Sequence, residues 1–102
     1  MVTYPSTFEI PTTDPLTGLL SQPYFRRLLR EELIPAAQRS GDPLSVFLID
    51  TDSFLEVNTA HGRQAGDAVL LGVARVLRET LPEGTALVRY GGDEFCGALP
   101  DT

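Results

Sequence analysis

The residues of this chain best suited to chemistry are carboxylates placed at the ends of apolar runs. Asp50 and Asp52 follow the run Leu44 to Ile49, and Asp93 and Glu94 stand between Gly91-Gly92 and the run Phe95 to Leu99. If segments 44–49 and 86–90 are parallel strands finishing at one end of a sheet, Asp50, Asp93 and Glu94 converge there. Unpaired, three carboxylates repel and raise one another's pKa, and a hard divalent cation removes that cost. Mg²⁺ suits this donor set, since it takes one or two carboxylates together with substrate phosphates. The same residues have a purely structural reading, in which Asp50 and Asp52 end a strand and cap a helix while Asp93 and Glu94 fill a solvated turn. Residue type alone leaves both open.

The elements that must position these groups follow from apolar periodicity. Met1 to Thr13 is rich in Pro, Thr and Ser without a sustained period and reads as a leader or linker. Phe25, Leu28, Leu29 and Leu33 recur at helical spacing between Ser21 and Ser40, so an amphipathic helix is expected. Pro35 should kink it or weaken its last turns, because proline lacks an N–H and crowds the preceding turn. After a turn at Gly41, Asp42 and Pro43, the run Leu44 to Ile49 is expected to be a strand buried on both faces. Asp52 is placed to cap a short helix from about Ser53 to Ala60. A longer helix should start near Gly66 and Asp67, with Val69, Val73, Val76 and Leu77 as its apolar stripe and Arg75 and Glu79 paired on its wet side. Pro82 and Gly84 end it. Ala86 to Tyr90 and Phe95 to Leu99 read as a hairpin whose paired glycines supply positive φ. The order helix, strand, helix, helix, strand, strand predicts an α/β domain, and a strand, helical crossover and returning strand imply parallel pairing.

A chain of 102 residues has room for one thin core. Its 42% hydrophobic and 22% charged residues are the balance of a globular domain, which excludes a disordered or fibrous chain. No apolar run reaches membrane-spanning length, and Met1 to Pro11 lacks the basic-then-apolar order of a signal peptide, so a cytoplasmic chain is expected. Cys96 is the single cysteine; it can form no internal disulfide and is read as a small core hydrophobe. The net charge of −6 argues against nucleic-acid binding, although an acidic chain can still take a nucleotide through metal ions or a few basic residues held in one pocket.

Four motifs, in order and in spacing, resemble those of the GGDEF domain, the module of bacterial diguanylate cyclases. Asp14-Pro15-Leu16-Thr17-Gly18-Leu19 is similar to its opening motif, and Asp50-Thr51-Asp52-Ser53-Phe54 to its D-x-D-x-F segment. Asn58, Gly62, Gly66 and Asp67 fall where N-D-x-x-G-H-x-x-G-D has its Asn, glycines and final Asp, and Gly91-Gly92-Asp93-Glu94-Phe95 is the signature itself. The resemblance runs from Asp14 to Thr102 and is to the N-terminal part of that domain, ending shortly after the signature. It implies an α+β palm-like fold of the nucleotide-cyclase, ferredoxin-like type over 14–102. It implies two Mg²⁺ ions bound by Asp50, Asp93, Glu94 and the backbone carbonyl of Thr51. It implies GTP as substrate, with phosphate approaching the backbone at Gly91 and Gly92 and guanine contacted by Asn58 and Asp67, an amide and a carboxylate that match its edges. In the implied reaction two domains face each other as a homodimer, each holding GTP. The 3′-hydroxyl of one nucleotide attacks the α-phosphate of the other, giving cyclic di-GMP and two pyrophosphates, with Asp93 or Glu94 helping to deprotonate the hydroxyl or holding the metal that does so. The family's phosphate-holding basic residues lie in its later part, so the chain alone is expected to be inactive. Segment 44–49, central in the family's sheet, would here be an edge open to a second copy.

The sequence also departs from the family. Leu55 replaces its usual Lys, Thr59 its Asp and Arg63 its His, and Ser21-Gln22-Pro23 replaces Asn-Arg-Arg. These changes favour an alternative, a non-catalytic GGDEF-like module that binds a nucleotide or a protein. Pro82 and Thr85 occupy the positions of the R-x-x-D product-inhibition site, so feedback through that site should be lost.

Overall fold

A computed structural model describes residues 11–52 and 54–102. The leader residues 1–10 and Ser53, next to the expected cap at Asp52, lie outside the described residues. The first helical segment runs from Gln22 to Ser40 in three consecutive pieces: α1 (Gln22–Leu28), a π-helical turn (Leu29–Leu33) and α2 (Ile34–Ser40). Ser21 caps it, its hydroxyl accepting the Tyr24 N–H at 3.3 Å. Pro35 does not break the segment. The weakening expected from its missing donor takes the form of the wider turn just before it, closed by the Ile34 N–H on the Leu29 carbonyl. Gly41, at φ 79°, ends α2 with its N–H on the Ala37 carbonyl.

The strands form one sheet in the order β1-β3-β4-β2, made of β1 (Leu20–Ser21), β2 (Leu44–Asp50), β3 (Ala86–Arg89) and β4 (Glu94–Pro100). The short β1 has no signal in the sequence pattern; it pairs parallel with β3. The hairpin β3–β4 forms as expected. Strands β2 and β3 share a direction, as the crossover requires, but they are not hydrogen-bonded neighbours, because β4 lies between them and pairs antiparallel with both. Periodicity gives the direction of a returning strand but not which strand it lies beside.

Helices α3 (Phe54–His61) and α4 (Arg63–Thr80) meet at Gly62, whose φ of 88° turns the chain between them. Because α4 starts at Arg63, Asp67 lies within the helix rather than capping it. The helix buries Gly66, Leu70 and Ala74, with Val73 and Leu77 beside them, while Val76 is 54% exposed. Its inner face is thus shifted from the expected valine stripe toward small residues that allow close approach to the sheet. Arg75 and Glu79 are both exposed and form no ion pair, in keeping with the small return from such pairs in water.

Side chains of the sheet alternate between two cores. On the α4 face Leu19, Leu70, Ala74, Leu87 and Phe95 pack together; on the α1 face Phe25, Val88, Cys96 and Ala98 do. Gly97 leaves the space that the Phe47 ring fills, since a Cβ there would lie 2.5 Å from it. Cys96 is buried, as read from the sequence, and burial pushes its thiol pKa up. The expectation that β2 is buried on both faces fails: Val46 and Leu48 are 54% and 59% exposed, since among the described residues no helix covers that stretch and no strand pairs with its outer side.

Candidate functional site

The carboxylates gather where β2 and β4 meet. Asp50 and Glu94 are directly opposed in the antiparallel register, and the Thr51 N–H donates to the Asp93 carbonyl at 3.0 Å. The juxtaposition expected from parallel strands is therefore present, but through the neighbouring antiparallel strand. The Glu94 carboxyl is held above its ordinary pKa, first by lost hydration, then by Asp50 opposite and by the charge of Asp93. Three carboxylates do not close on one point: among the described residues no three His, Cys, Asp or Glu side chains are grouped to hold an ion.

The glycines of the loop act differently from one another. Neither Gly91 nor Gly92 has positive φ, so the hairpin does not need them for backbone conformation. Gly91 leaves space that the Glu94 carboxylate takes, and a Cβ there would displace it, since its Cδ would lie 3.3 Å away. Its N–H is already used inside the hairpin, on the Glu94 carbonyl at 3.2 Å. At Gly92 the corresponding space is open.

A half-buried polar link that the sequence reading missed joins this loop to the opening turn. The Asp14 carboxylate accepts from the Thr17 N–H and hydroxyl, both at 2.8 Å, and pairs with Arg89 at 3.3 Å. Arg89 also donates to the Gly92 carbonyl at 2.8 Å. Burial alone would raise the Asp14 pKa, but the Thr17 bonds and Arg89 outweigh it and hold it below its ordinary value. From α4, Arg78 donates to the Thr17 carbonyl at 2.5 Å. The sequence signal for this link is Arg89 itself, a cation two residues before the signature in an acidic chain.

The α3–α4 corner places Asn58 and Asp67. The Asn58 carbonyl accepts the Gly62 N–H at 2.9 Å, and its side chain lies against Gly66. Asn58 Oδ1 and Thr51 Oγ1 are buried and have no hydrogen-bond partner among the described residues. Asp67 is half-buried one position after Gly66, whereas Leu55 is 75% exposed and Arg63 and Thr59 are exposed as well. Pro82 and Thr85 form a tight turn in which the Pro82 carbonyl accepts the Thr85 N–H and hydroxyl. An apolar groove among the described residues runs along β2, lined by Phe25, Leu29, Val46, Leu48 and Tyr90.

Residues 11–102 match the family model described as diguanylate cyclase, GGDEF domain. The chain belongs to the GGDEF family. Diguanylate cyclase A of Treponema denticola is 38% identical over 96 residues, which is 92% of this chain and 26% of that protein. The response regulator PleD of Caulobacter vibrioides is 39% identical over 94 residues, 92% of this chain and 20% of that one. The crystal structure of the GGDEF domain of DgcB from Caulobacter crescentus, in complex with c-di-GMP, superimposes with a TM-score of 0.84 at 30% identity, covering all of this chain and 55% of that one. The diguanylate cyclase SiaD of Pseudomonas aeruginosa, solved with its activator SiaC, gives 0.82 at 39% identity over 88% of this chain and 34% of its own. The palm-like fold of GGDEF domains is thus the fold of this chain, which spans about a quarter or less of those two curated relatives. None of its described helices is long and apolar enough to cross a membrane.

Proposed function

We propose that this chain is the metal- and guanine-facing part of a diguanylate cyclase module, which condenses two GTP into cyclic di-GMP and two pyrophosphates. The observation that carries the reading is the register of Asp50 against Glu94, with Asp93 fixed beside them by the Thr51 N–H, in a chain of the GGDEF family. Asp50, Asp93 and Glu94, with the Thr51 carbonyl, are the donors that would hold two Mg²⁺ ions. Their hard oxygens fit that ion, which uses one or two carboxylates and completes its shell with phosphate and water, so no closed protein cage is needed. Bound there, Mg²⁺ would lower the pKa of the attacking 3′-hydroxyl and neutralise charge on the α-phosphate.

The chain's own residues bind and orient. Asn58 and Asp67 hold the guanine, and the open space at Gly92 admits phosphate near the backbone. Asp93 or Glu94 takes the hydroxyl proton or fixes the metal beside it. Two GTP molecules must face each other, so the active form is a homodimer of such modules in the cytoplasm, where GTP is available. Full-length protein incubated with GTP and Mg²⁺ should yield cyclic di-GMP on chromatography, and absence of product at high protein concentration would overturn the cyclase reading. A second reading, nucleotide binding without turnover, is favoured by Leu55, which puts an exposed apolar side chain where the family's Lys would stand. Mg²⁺-dependent GTP binding with no product would select it.

A further inference from the structure

Gly91 opens the signature, yet nothing in its backbone calls for glycine: its φ is not positive, and its N–H is spent on the Glu94 carbonyl at 3.2 Å. That carbonyl also accepts the Tyr90 N–H at 2.8 Å, so residues 90 and 91 together grip the backbone of Glu94. The side chain of Glu94 is fitted to the same glycine. The three atoms nearest to a Cβ built at Gly91 all belong to Glu94: its Oε1, nearer than such contacts come, its Cδ at 3.3 Å and its Cβ at 3.5 Å. Gly92 differs, since a Cβ there would meet nothing within 4 Å. Glu94 in turn stands directly opposite Asp50 in the β2–β4 register. The first missing side chain of the signature is thus the seat of the carboxylate that faces Asp50.

We infer that Gly91 is a positioning residue for metal binding: the space it leaves seats the Glu94 carboxylate beside Asp50, so that the two offer oxygens to one divalent cation. The inference rests on the proposed reading of Asp50 and Glu94 as Mg²⁺ ligands. It separates the tasks of the two glycines, Gly92 leaving room for phosphate and Gly91 for a side chain of the protein itself. A methyl at position 91 meets the far end of a flexible side chain rather than backbone. The hairpin therefore survives, and the carboxylate yields by turning about its own bonds. Any such turn changes where its oxygens stand relative to Asp50. Mg²⁺ responds to that change because it demands near-ideal octahedral geometry.

The test is calorimetric titration of the full-length protein with GTP across a series of Mg²⁺ concentrations. Gly91→Ala should raise the Mg²⁺ concentration that half-saturates GTP binding roughly tenfold, the usual cost of disturbing a group that orients a metal ligand. At saturating Mg²⁺ the variant should regain native GTP affinity. An affinity that stays low there would overturn the inference and make Gly91 a phosphate contact, and an unchanged Mg²⁺ requirement would overturn it as well. If Glu94→Gln leaves the Mg²⁺ requirement unchanged, Glu94 is no ligand and the underlying reading fails instead. Thermal denaturation without metal covers a variant that folds poorly. Glu94→Ala removes the carboxylate that the methyl would meet, so Gly91→Ala should lower Tm less in that background than in the native one, and an equal drop in both means that no seat exists.

Discussion

Removing the Asp14 carboxylate should destabilise the domain more than any other single change at its surface-facing polar groups, and the size of the loss can be worked from the contacts. Asp14→Ala deletes an ionised acceptor of two 2.8 Å hydrogen bonds from Thr17 and the partner of Arg89, in a pair whose side chains are only 16% and 20% accessible. Hydrogen bonds to charged groups contribute about 1.5–3 kcal/mol each, and breaking a buried pair from one side costs about 3–5 kcal/mol. The residual solvent access of both side chains discounts the second figure, and the contributions overlap because they share one carboxylate. A loss of roughly 3 kcal/mol is expected, or about 12–24 °C in Tm for a domain of this size. Arg89 would keep its bond to the Gly92 carbonyl, but its Nε, already buried without a partner among the described residues, would sit beside a second vacated contact.

The assay is a double-mutant cycle of Asp14→Ala and Arg89→Met, read by urea and thermal denaturation with circular dichroism. If the pair ties the opening turn to the signature loop, the two losses are non-additive, with a coupling of about 1 kcal/mol or more. Additivity within about 0.5 kcal/mol would refute the link, as would a total loss below about 1 kcal/mol for Asp14→Ala.

The same carboxylate sets a pH dependence. Its folded-state pKa lies below the ordinary value, so its contribution is complete above the unfolded value and is lost as pH falls through the folded one; Asp14→Asn should abolish that acid-side slope in a denaturation series below about pH 5, and an unchanged slope would assign it to other groups. Asp50→Asn should abolish Mg²⁺-dependent GTP binding in calorimetry while shifting Tm by no more than about 2 °C, since Asp50 is exposed and supplies charge rather than packing; unchanged metal-dependent affinity would remove it from the ligand set. Val46→Lys, at a residue already 54% exposed on the open edge of β2, should change stability by no more than about 0.5 kcal/mol and break any edge-mediated dimer seen by light scattering; a strictly monomeric native chain at the highest concentration would mean that this edge does not self-associate.

Much of the architecture was legible because the relevant signals are local. Turn residues at 41–43 and the paired glycines bracket β2, β3 and β4, and the spacing of Phe25, Leu29 and Leu33 marks the first helix. Tertiary choices were legible only in part. The two residues of β1 are too few for a period, and periodicity does not say on which side of its first strand a hairpin folds back; the resemblance does, since the family's sheet sets segment 44–49 beside the second hairpin strand, as β2 lies beside β4 here. The inner face of α4 is legible in part: Val73 and Leu77 of the expected stripe pack on the core, but Val76 is exposed, and Gly66, Leu70 and Ala74 take the most buried positions. Pro35 was read correctly as a perturbation, but not as one that the chain absorbs in a π-helical turn upstream.

The site residues show the same limit in a sharper form, and the glycines explain it. Gly41 and Gly62 have positive φ and shape turns, a role that sequence position suggests. Gly66, Gly91 and Gly97 do not have positive φ, and each vacates space that a neighbouring side chain takes: the Asn58 amide, the Glu94 carboxylate and the Phe47 ring. Two of those three neighbours are groups proposed to touch nucleotide or metal. A sequence shows that a side chain is missing but not whose atoms take its place, so a glycine read as a flexible hinge or a phosphate cradle can instead be the mould for a functional side chain. It follows that substitution at Gly66 or Gly91 should alter the position of Asn58 or Glu94 before it alters the backbone. In this part of the domain, loss of function and loss of fold are therefore separable by experiment.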